Sequence, residues 1–431
     1  MNRVKSNPLL KNKGEYLFLT SLIPDEEFKK LILIDKIPQM ATHLFYWKFF
    51  RGIRMSELSD CNFYVISTRP ITEYPTCRIK VVRQKTWKTS EGDLNELFFL
   101  NFPVIRIFTL LCSCLFQSFW WGLLTKNKNK RGVIVDSTVP YLVAGYIISK
   151  IYNIPLIGIM TDPPNMHYKI SWESPFKSKF RKINGYIIRS LLKKLSGVIA
   201  LTKGLVDSYC SGQPNLIIEG IIDSKNAEEK KYLYNKPESF ILLYSGSLSK
   251  VYGILELIKA FLKLPFTDIE LWIFGRGDIE DEIIAFTKKD NRIKYFGFLE
   301  NDKVRYYQKF ASLLVNPRPT NLPDSNYSFP SKILEYMQSG TPTLLTRLPG
   351  IPDEYNDYVF FTNGFDELSI EEKIRELYAM DRSDLIARGR KAKIFAESKS
   401  IKNQGDKIGK FILEIASNSL NRKLPNRGKY K

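Results

Sequence analysis

Residues 329–335 read Phe-Pro-Ser-Lys-Ile-Leu-Glu, and their types and spacing suit a site for a phosphorylated ligand. Pro330 fits the first position of a helix, where its missing N–H costs nothing. Ile333, Leu334 and Met337 recur at helical spacing; Gly340 suits the residue just past the helix, and Pro342 blocks continuation. The pattern therefore predicts a short helix followed by a strand over Thr343 to Thr346. A helix N-terminus carries unpaired N–H groups and partial positive charge, which favour an anion. Lys332 and Glu335, three residues apart, share a face near that end. The plainer alternative is a surface helix with a solvated Lys–Glu pair.

Other chemistry-bearing residues are sparse. Lys250 lies in a loop after a strand-like run, flanked by Gly246 and Gly253. Asp162 follows another such run in MTDPPNMHY, where a turn before Pro163 would equally explain it. There are two histidines, His43 and His167, which excludes a multi-histidine metal centre. His43 sits in the aromatic segment ATHLFYWKFF and reads as a core or surface histidine. No G-x-x-x-x-G-K-[ST] segment is present, which excludes a P-loop nucleotidase, and GRGDIE has two of the three glycines of a dinucleotide fingerprint. No D-x-D is present to hold a divalent metal, and no metal site is expected.

These residues need a scaffold, and a 431-residue chain is too long for one ordinary core. Both halves alternate short β-branched runs with helical stretches, a pattern that predicts parallel sheets covered by helices. In the first half the runs are 16–22, 62–68, 80–85, 132–137, 155–162, 197–202 and 216–222, with helices expected over 38–51, 95–124, 140–152 and 174–195. In the second they are 241–248, 270–277, 293–299, 311–317, 341–346 and 358–362. The polar stretch from Asp223 to Glu238 reads as a linker. The expected domains are 1–228 and 239–400, followed by a helix and basic tail over 401–431 that crosses back to the first domain. Two doubly wound domains place ligands in a cleft at the carboxyl ends of their strands.

The net charge of +20 is concentrated. Residues 386–431 carry +10, residues 169–194 carry +7 and Lys126–Arg131 carry +4, leaving the rest nearly neutral. Leu, Ile, Phe and Trp interleave with these charges, and no nucleic-acid signature accompanies them, so the expected partner is an anionic membrane surface rather than nucleic acid. A solvated basic face is the plainer alternative. Val104–Leu124 is long and apolar but contains Arg106 and Gln117, and it reads as a buried or membrane-facing helix of a domain rather than a span. Five cysteines form no disulfide framework and Cys112-x-Cys114 has no partners for a metal, which suggests reduced thiols. Residues 1–15 are polar and basic without an apolar core, so no signal peptide is expected.

Four segments of the second half, YSGSLSKVYGILELIKAF, LWIFGRGDIEDEI, LLVNPRPT and YSFPSKILEYMQSGTPTLL, together resemble the retaining GT-B glycosyltransferases of the family four type that build bacterial capsular and exopolysaccharides. GVIALTKGL and LIIEGIID in the first half are similar to that family's passage into its linker, with Glu219 where Asn is usual. The resemblance covers most of 130–400, is strongest over 241–348 and is loose before residue 60.

It implies an α/β GT-B fold with two Rossmann-like domains facing a cleft, and transfer of a sugar from a nucleoside diphosphate-sugar to a saccharide acceptor, expected to be lipid-linked. It implies retention of anomeric configuration and no metal or other cofactor. The donor diphosphate would lie against the helix near Pro330, approached by Ser331, Ser247 and the Gly246 backbone. Lys250 and Lys332 would neutralise the leaving diphosphate, helped by Arg318, while Glu335 would hold the ribose hydroxyls. Asp162 would face the sugar or orient the acceptor hydroxyl. The expected location is cytoplasmic, on the inner face of the plasma membrane.

Two departures stand out. The family often pairs glutamates eight positions apart, but Tyr327 stands eight before Glu335; Tyr252 precedes Gly253 where lysine is common. A non-catalytic GT-B subunit that binds or activates a partner transferase is the alternative. An epimerase of the same fold would need more acid/base groups than the sequence offers.

Overall fold

The computed structural model describes residues 14–125, 130–164, 175–223, 238–323 and 325–421. They form two compact units, one running to Ile221 and resuming at Ile401, the other Ile222–Ser400.

In the first unit β1 (Glu15–Thr20), β2 (Asn62–Ser67), β3 (Val81–Val82), β4 (Lys85–Thr89), β5 (Gly92–Glu96), β6 (Phe99–Leu100), β7 (Lys130–Asp136), β8 (Leu156–Met160), β9 (Gly197–Ala200) and β10 (Asn215–Ile217) alternate with α1 (Asp25–Ile32), α2 (Met40–Arg54), α3 (Ile105–Leu124), α4 (Val139–Tyr152), α5 (Pro175–Leu192) and α6 (Lys203–Tyr209). Eight strands form one sheet in the order β10-β9-β8-β7-β1-β2-β5-β4, parallel except for the β4–β5 hairpin. β8 and β9 are buried at every position, as expected of parallel strands covered on both faces.

The helix expected over 95–124 begins only at Ile105. Pro103 cannot donate a helical hydrogen bond and restrains Phe102. Ahead of it, Leu94 and Glu96 are buried while Asp93 and Asn95 are not, a period of two that belongs to a strand. The run at 80–85 likewise splits into β3 and the start of β4. The helix after Ser400, α13 (Ile401–Asn421), lies in the first unit and crosses α2 with Gly405 against Gly52, where a Cβ on Gly405 would lie 2.2 Å from the Gly52 carbonyl oxygen.

The second unit has β11 (Phe240–Ser245), β12 (Ile269–Phe274), β13 (Ile293–Tyr295), β14 (Leu313–Asn316), β15 (Thr343–Thr346) and β16 (Phe360–Thr362), with α7 (Ile254–Leu262), α8 (Glu280–Lys289), α9 (Asn301–Phe310), α10 (Lys332–Ser339), α11 (Glu367–Ala379) and α12 (Arg382–Ser398). All six strands are parallel in the order β13-β12-β11-β14-β15-β16. Counted from β11 this is 3-2-1-4-5-6, the doubly wound order that opens a crevice where the winding reverses, between β11 and β14. Apolar side chains pack both faces of the sheet. The linker expected between Asp223 and Glu238 falls almost wholly outside the described residues.

Candidate functional site

The reversal point dictates where a ligand should sit: against the loops that leave β11 and β14. These carry Gly246–Lys250 and Pro317–Arg318, and the chain after β14 leads to α10. Tyr336, fully buried on α10, ties that helix to the end of β11: its hydroxyl accepts from the Ser245 N–H at 2.8 Å and donates to the Ser245 carbonyl at 3.0 Å. Gln308 of α9 completes the brace, donating to Ser245 Oγ at 3.1 Å and to Glu335 Oε1 at 3.1 Å. Neither residue was singled out from the sequence. An apolar-stripe pattern places Tyr336 in the core without revealing its hydroxyl's target, and nothing local distinguishes Gln308.

Lys332 and Glu335 are in direct contact. The Lys332 ammonium donates to both carboxylate oxygens at 2.9 Å. Their side chains are 30% and 24% exposed, so this is a partly sheltered pair, not the solvated one of an open surface helix. Burial opposes ionisation of Glu335, but the Lys332 charge and the hydrogen bonds from Lys332 and Gln308 outweigh it and hold the carboxyl below its ordinary value. Pro330 stands two residues further out than expected. Helical residues begin at Lys332, Ser331 occupies the cap position without a side-chain capping bond, and the Pro330 carbonyl accepts from Ile333 N–H. Gly340 closes the helix in the left-handed region at φ 80°.

In the glycine loop, Gly246 N–H is committed to the Phe274 carbonyl at 3.0 Å, as Leu248 N–H is to Arg276, because the loop pairs edgewise with the chain leaving β12. The Gly246 N–H is therefore already engaged. A Cβ on Gly275 would lie 1.9 Å from the Gly246 carbonyl oxygen, and one on Gly277 2.1 Å from that of Leu248. The two glycines of GRGDIE thus serve this close approach between loops. Ser247 is exposed between the two committed residues. Gly253 has φ 76°, and a Cβ there would lie 2.1 Å from the Pro317 carbonyl oxygen, so glycine is required where the β11 loop meets the β14 loop.

Lys250 begins a single 3-10 turn, Lys250–Tyr252, and its ammonium pairs with Glu282 Oε1 of α8 at 2.8 Å. That hydrogen bond raises its pKa, with Asp278 adding to the effect. Arg318 is half-buried, its guanidinium 5.5 Å from the Tyr252 ring centroid and 3.4 Å from Ser328 Oγ. The structure thus brings Ser245–Ser247, Arg318, Tyr252, Lys332 and Glu335 to the reversal point, while the partners of Lys250 lie on α8 and in the turn before it.

The first unit has its own reversal point, between β1 and β7. Asp162 is exposed just after β8, accepting from Thr161 Oγ1 at 2.8 Å. Near it, Asp136 ends β7 and is buried; this carboxyl was overlooked, although a carboxylate closing an apolar strand is the same signal that marked Asp162. Burial lifts the Asp136 pKa to about 7, opposed by the neighbouring Tyr46 phenol and the Ser137 N–H and reinforced by the charge of Asp162. His43 is a core residue, stacked on Phe28 at 4.0 Å and 2.9 Å from Asp25 Oδ1. His167 lies outside the described residues. Among the described residues no group of three or more His, Cys, Asp or Glu side chains is placed to hold a metal ion.

The Asp136 shift sets a pH signature. A carboxyl whose folded pKa lies above its unfolded value binds more protons when folded, so stability is greatest in acid and falls as pH rises from about 4 to about 7. Asp136→Asn should remove this decline, gaining on the order of 4 kcal/mol relative to wild type between pH 4 and pH 8 in urea unfolding of the first unit. Parallel pH profiles for the two proteins would mean that Asp136 titrates normally.

Two doubly wound units of this kind constitute the GT-B fold of glycosyltransferases. Residues 225–392 match the family model described as glycosyl transferases group 1. No curated protein matches the chain significantly. Similar solved structures include the sucrose-phosphate synthase of Thermosynechococcus elongatus (12% identity, 94% of this chain and 100% of that one, TM-score 0.62). Anabaena HepE in complex with UDP and glucose is also similar (15% identity, 94% and 100% covered, TM-score 0.57). So is a glycosyltransferase from Rickettsia africae (16% identity, 94% and 100% covered, TM-score 0.59). At these identities the likeness is one of fold.

Proposed function

We propose that the protein transfers a sugar from a nucleoside diphosphate-sugar to a saccharide acceptor, the second unit binding the donor. The observation that carries this reading is the bracing of α10 to the end of β11 through Tyr336 and Ser245, with Arg318, Lys332 and Glu335 around the reversal point of the sheet. In this reading the diphosphate lies near Ser247, Arg318 and the start of α10 at Ser331. The ribose hydroxyls meet Glu335, and Lys332 turns from Glu335 to the leaving phosphate. Cations of the chain replace a metal as the stabilisers of that charge. Lys250 joins them on leaving Glu282. Asp162 and Asp136 of the first unit serve the acceptor or the sugar ring.

The match over 225–392 supports the reaction class. Retention of configuration, a lipid-linked acceptor and a setting in bacterial surface polysaccharide assembly rest on the resemblance of 241–348 to the family four type. A second reading, a non-catalytic GT-B subunit that binds or activates a partner transferase, is favoured by Tyr327 in place of the first glutamate. The test is a thermal-shift screen of nucleoside diphosphates and their sugars in chelator. At about a hundredfold excess over Kd the correct ligand should add about 2.7 kcal/mol of stability. Release of nucleoside diphosphate on adding acceptor separates the two readings. Indifference to every nucleotide overturns the transferase reading and leaves the second.

A further inference from the structure

Helix α3 is apolar on its exposed face as well as its buried one. Its exposed stripe is Ile105, Phe108, Phe116, Phe119, Trp120 and Leu123, with Cys112 between them, while its inward face buries Leu110, Cys114, Trp121 and Gly122 and, among them, the polar Gln117 and Ser118. An amphipathic helix of a water-surrounded domain instead turns charged and polar residues to the solvent. Neither the oxygen nor the nitrogen of the Gln117 amide has a hydrogen-bond partner, an unfavourable burial that would be avoided if the helix were rotated. The orientation is nevertheless fixed, since Gly122 packs against Tyr152 of α4 with no room for a Cβ, and Arg106 donates to the Ile71 carbonyl at 2.8 Å. Phe116 is 68% exposed, and the stripe runs the length of the helix.

What borders the stripe tells which apolar medium it meets. Phe108 of α3 contacts Phe180 of α5 at 6.2 Å between centroids. Among the described side chains of α5, the exposed ones are Lys179, Lys182 and Arg189 together with Ile183 and Tyr186, the last 76% exposed. An apolar stripe containing Trp, flanked by a basic one containing Tyr, matches the boundary of an anionic bilayer: acyl chains take the first, headgroup phosphates the second, and the amphipathic rings lie between. A protein partner or a second copy of this chain would need acidic groups opposite α5.

We propose that α3 and α5 of the first unit form a membrane-docking face that lies in the interface of an anionic bilayer, with α3 parallel to the surface. This rests on the first unit alone and not on the sugar-transfer reading. Its test therefore omits nucleotide and acceptor, and failure of either idea leaves the other standing.

The experiment is sedimentation of the intact protein with vesicles of phosphatidylcholine, with and without phosphatidylglycerol, alongside an environment-sensitive fluorophore on Cys112 in a Cys61→Ser background. The wild type should bind only the anionic vesicles, lose binding at high salt, and shift the Cys112 emission to the blue. Phe116→Glu with Trp120→Glu should lower the partition coefficient at least about tenfold, and Lys179→Glu with Lys182→Glu by a similar factor. Because these side chains are exposed, all variants should keep the wild-type melting temperature. The proposal is overturned if wild type ignores anionic vesicles, or if the variants bind as wild type does while Cys112 keeps its aqueous emission. It is equally overturned if wild type is a dimer that the Phe116/Trp120 variant splits and neither binds vesicles.

Discussion

Lys332→Ala should lower turnover on the order of a hundredfold or more, as for removal of one preorganised group that stabilises charge formed in the transition state. The expectation follows from where the lysine is held. Lys332 opens α10, whose position is set by Tyr336 on Ser245, so its ammonium is delivered to the mouth of β11 by a buried brace and not by a mobile loop. Its partner Glu335 holds it in place until a phosphate offers a stronger attraction. The loss should appear in kcat as well as kcat/KM, because the charge on the leaving diphosphate grows only as the sugar bond breaks. The pair is partly sheltered, so the variant should also lose about 1 kcal/mol of stability, and rates must be taken per folded molecule. Lys332→Arg, which retains charge but not shape, should recover part of the rate. Undiminished turnover in Lys332→Ala would remove the lysine from the chemistry.

Glu335→Ala should instead raise the donor KM about tenfold or more, with kcat changed far less. Hydrogen bonds to ribose hydroxyls are made equally in the ground and transition states, so losing them weakens binding without slowing the chemical step. The structure adds a consequence that spacing alone did not suggest. Glu335 also receives Gln308, which in turn donates to Ser245, so truncation leaves Lys332 and Gln308 without this acceptor and loosens the brace. Gln308→Ala should then reproduce part of the KM effect by loosening the same brace. Equal falls in kcat and kcat/KM for Glu335→Ala would mean that its main role is to hold Lys332, not the nucleotide.

The sequence was most legible where local pattern and global fold agree. All six strands of the second unit overlap the expected runs, β11 and β12 each starting one residue earlier, because parallel strands buried on both faces are continuous apolar segments. It was least legible around residues 80–104, where a short hairpin and two-residue strands look like the approach to a helix until Pro103 is given its weight. At the site, residue types were readable and pairing was not. Nothing in the spacing shows that Gly246 N–H is committed to Phe274, that Lys250 faces Glu282, or that Gln308 reaches Glu335 across 27 residues. Those facts depend on how β12, α8 and α9 fold back on the loop. Asp136 shows the same limit, since its raised pKa comes from tertiary burial and not from its neighbours in sequence.

The central claim, a nucleoside diphosphate held between the β11 loop and α10, is tested most directly by running the nucleoside diphosphate thermal-shift screen in chelator on wild type and Glu335→Ala side by side. One nucleoside diphosphate should raise the wild-type melting temperature in the presence of chelator, and the same ligand should need about tenfold higher concentration to do so in Glu335→Ala. A wild-type shift that vanishes in chelator, or one that Glu335→Ala shows at unchanged concentration, would contradict the account.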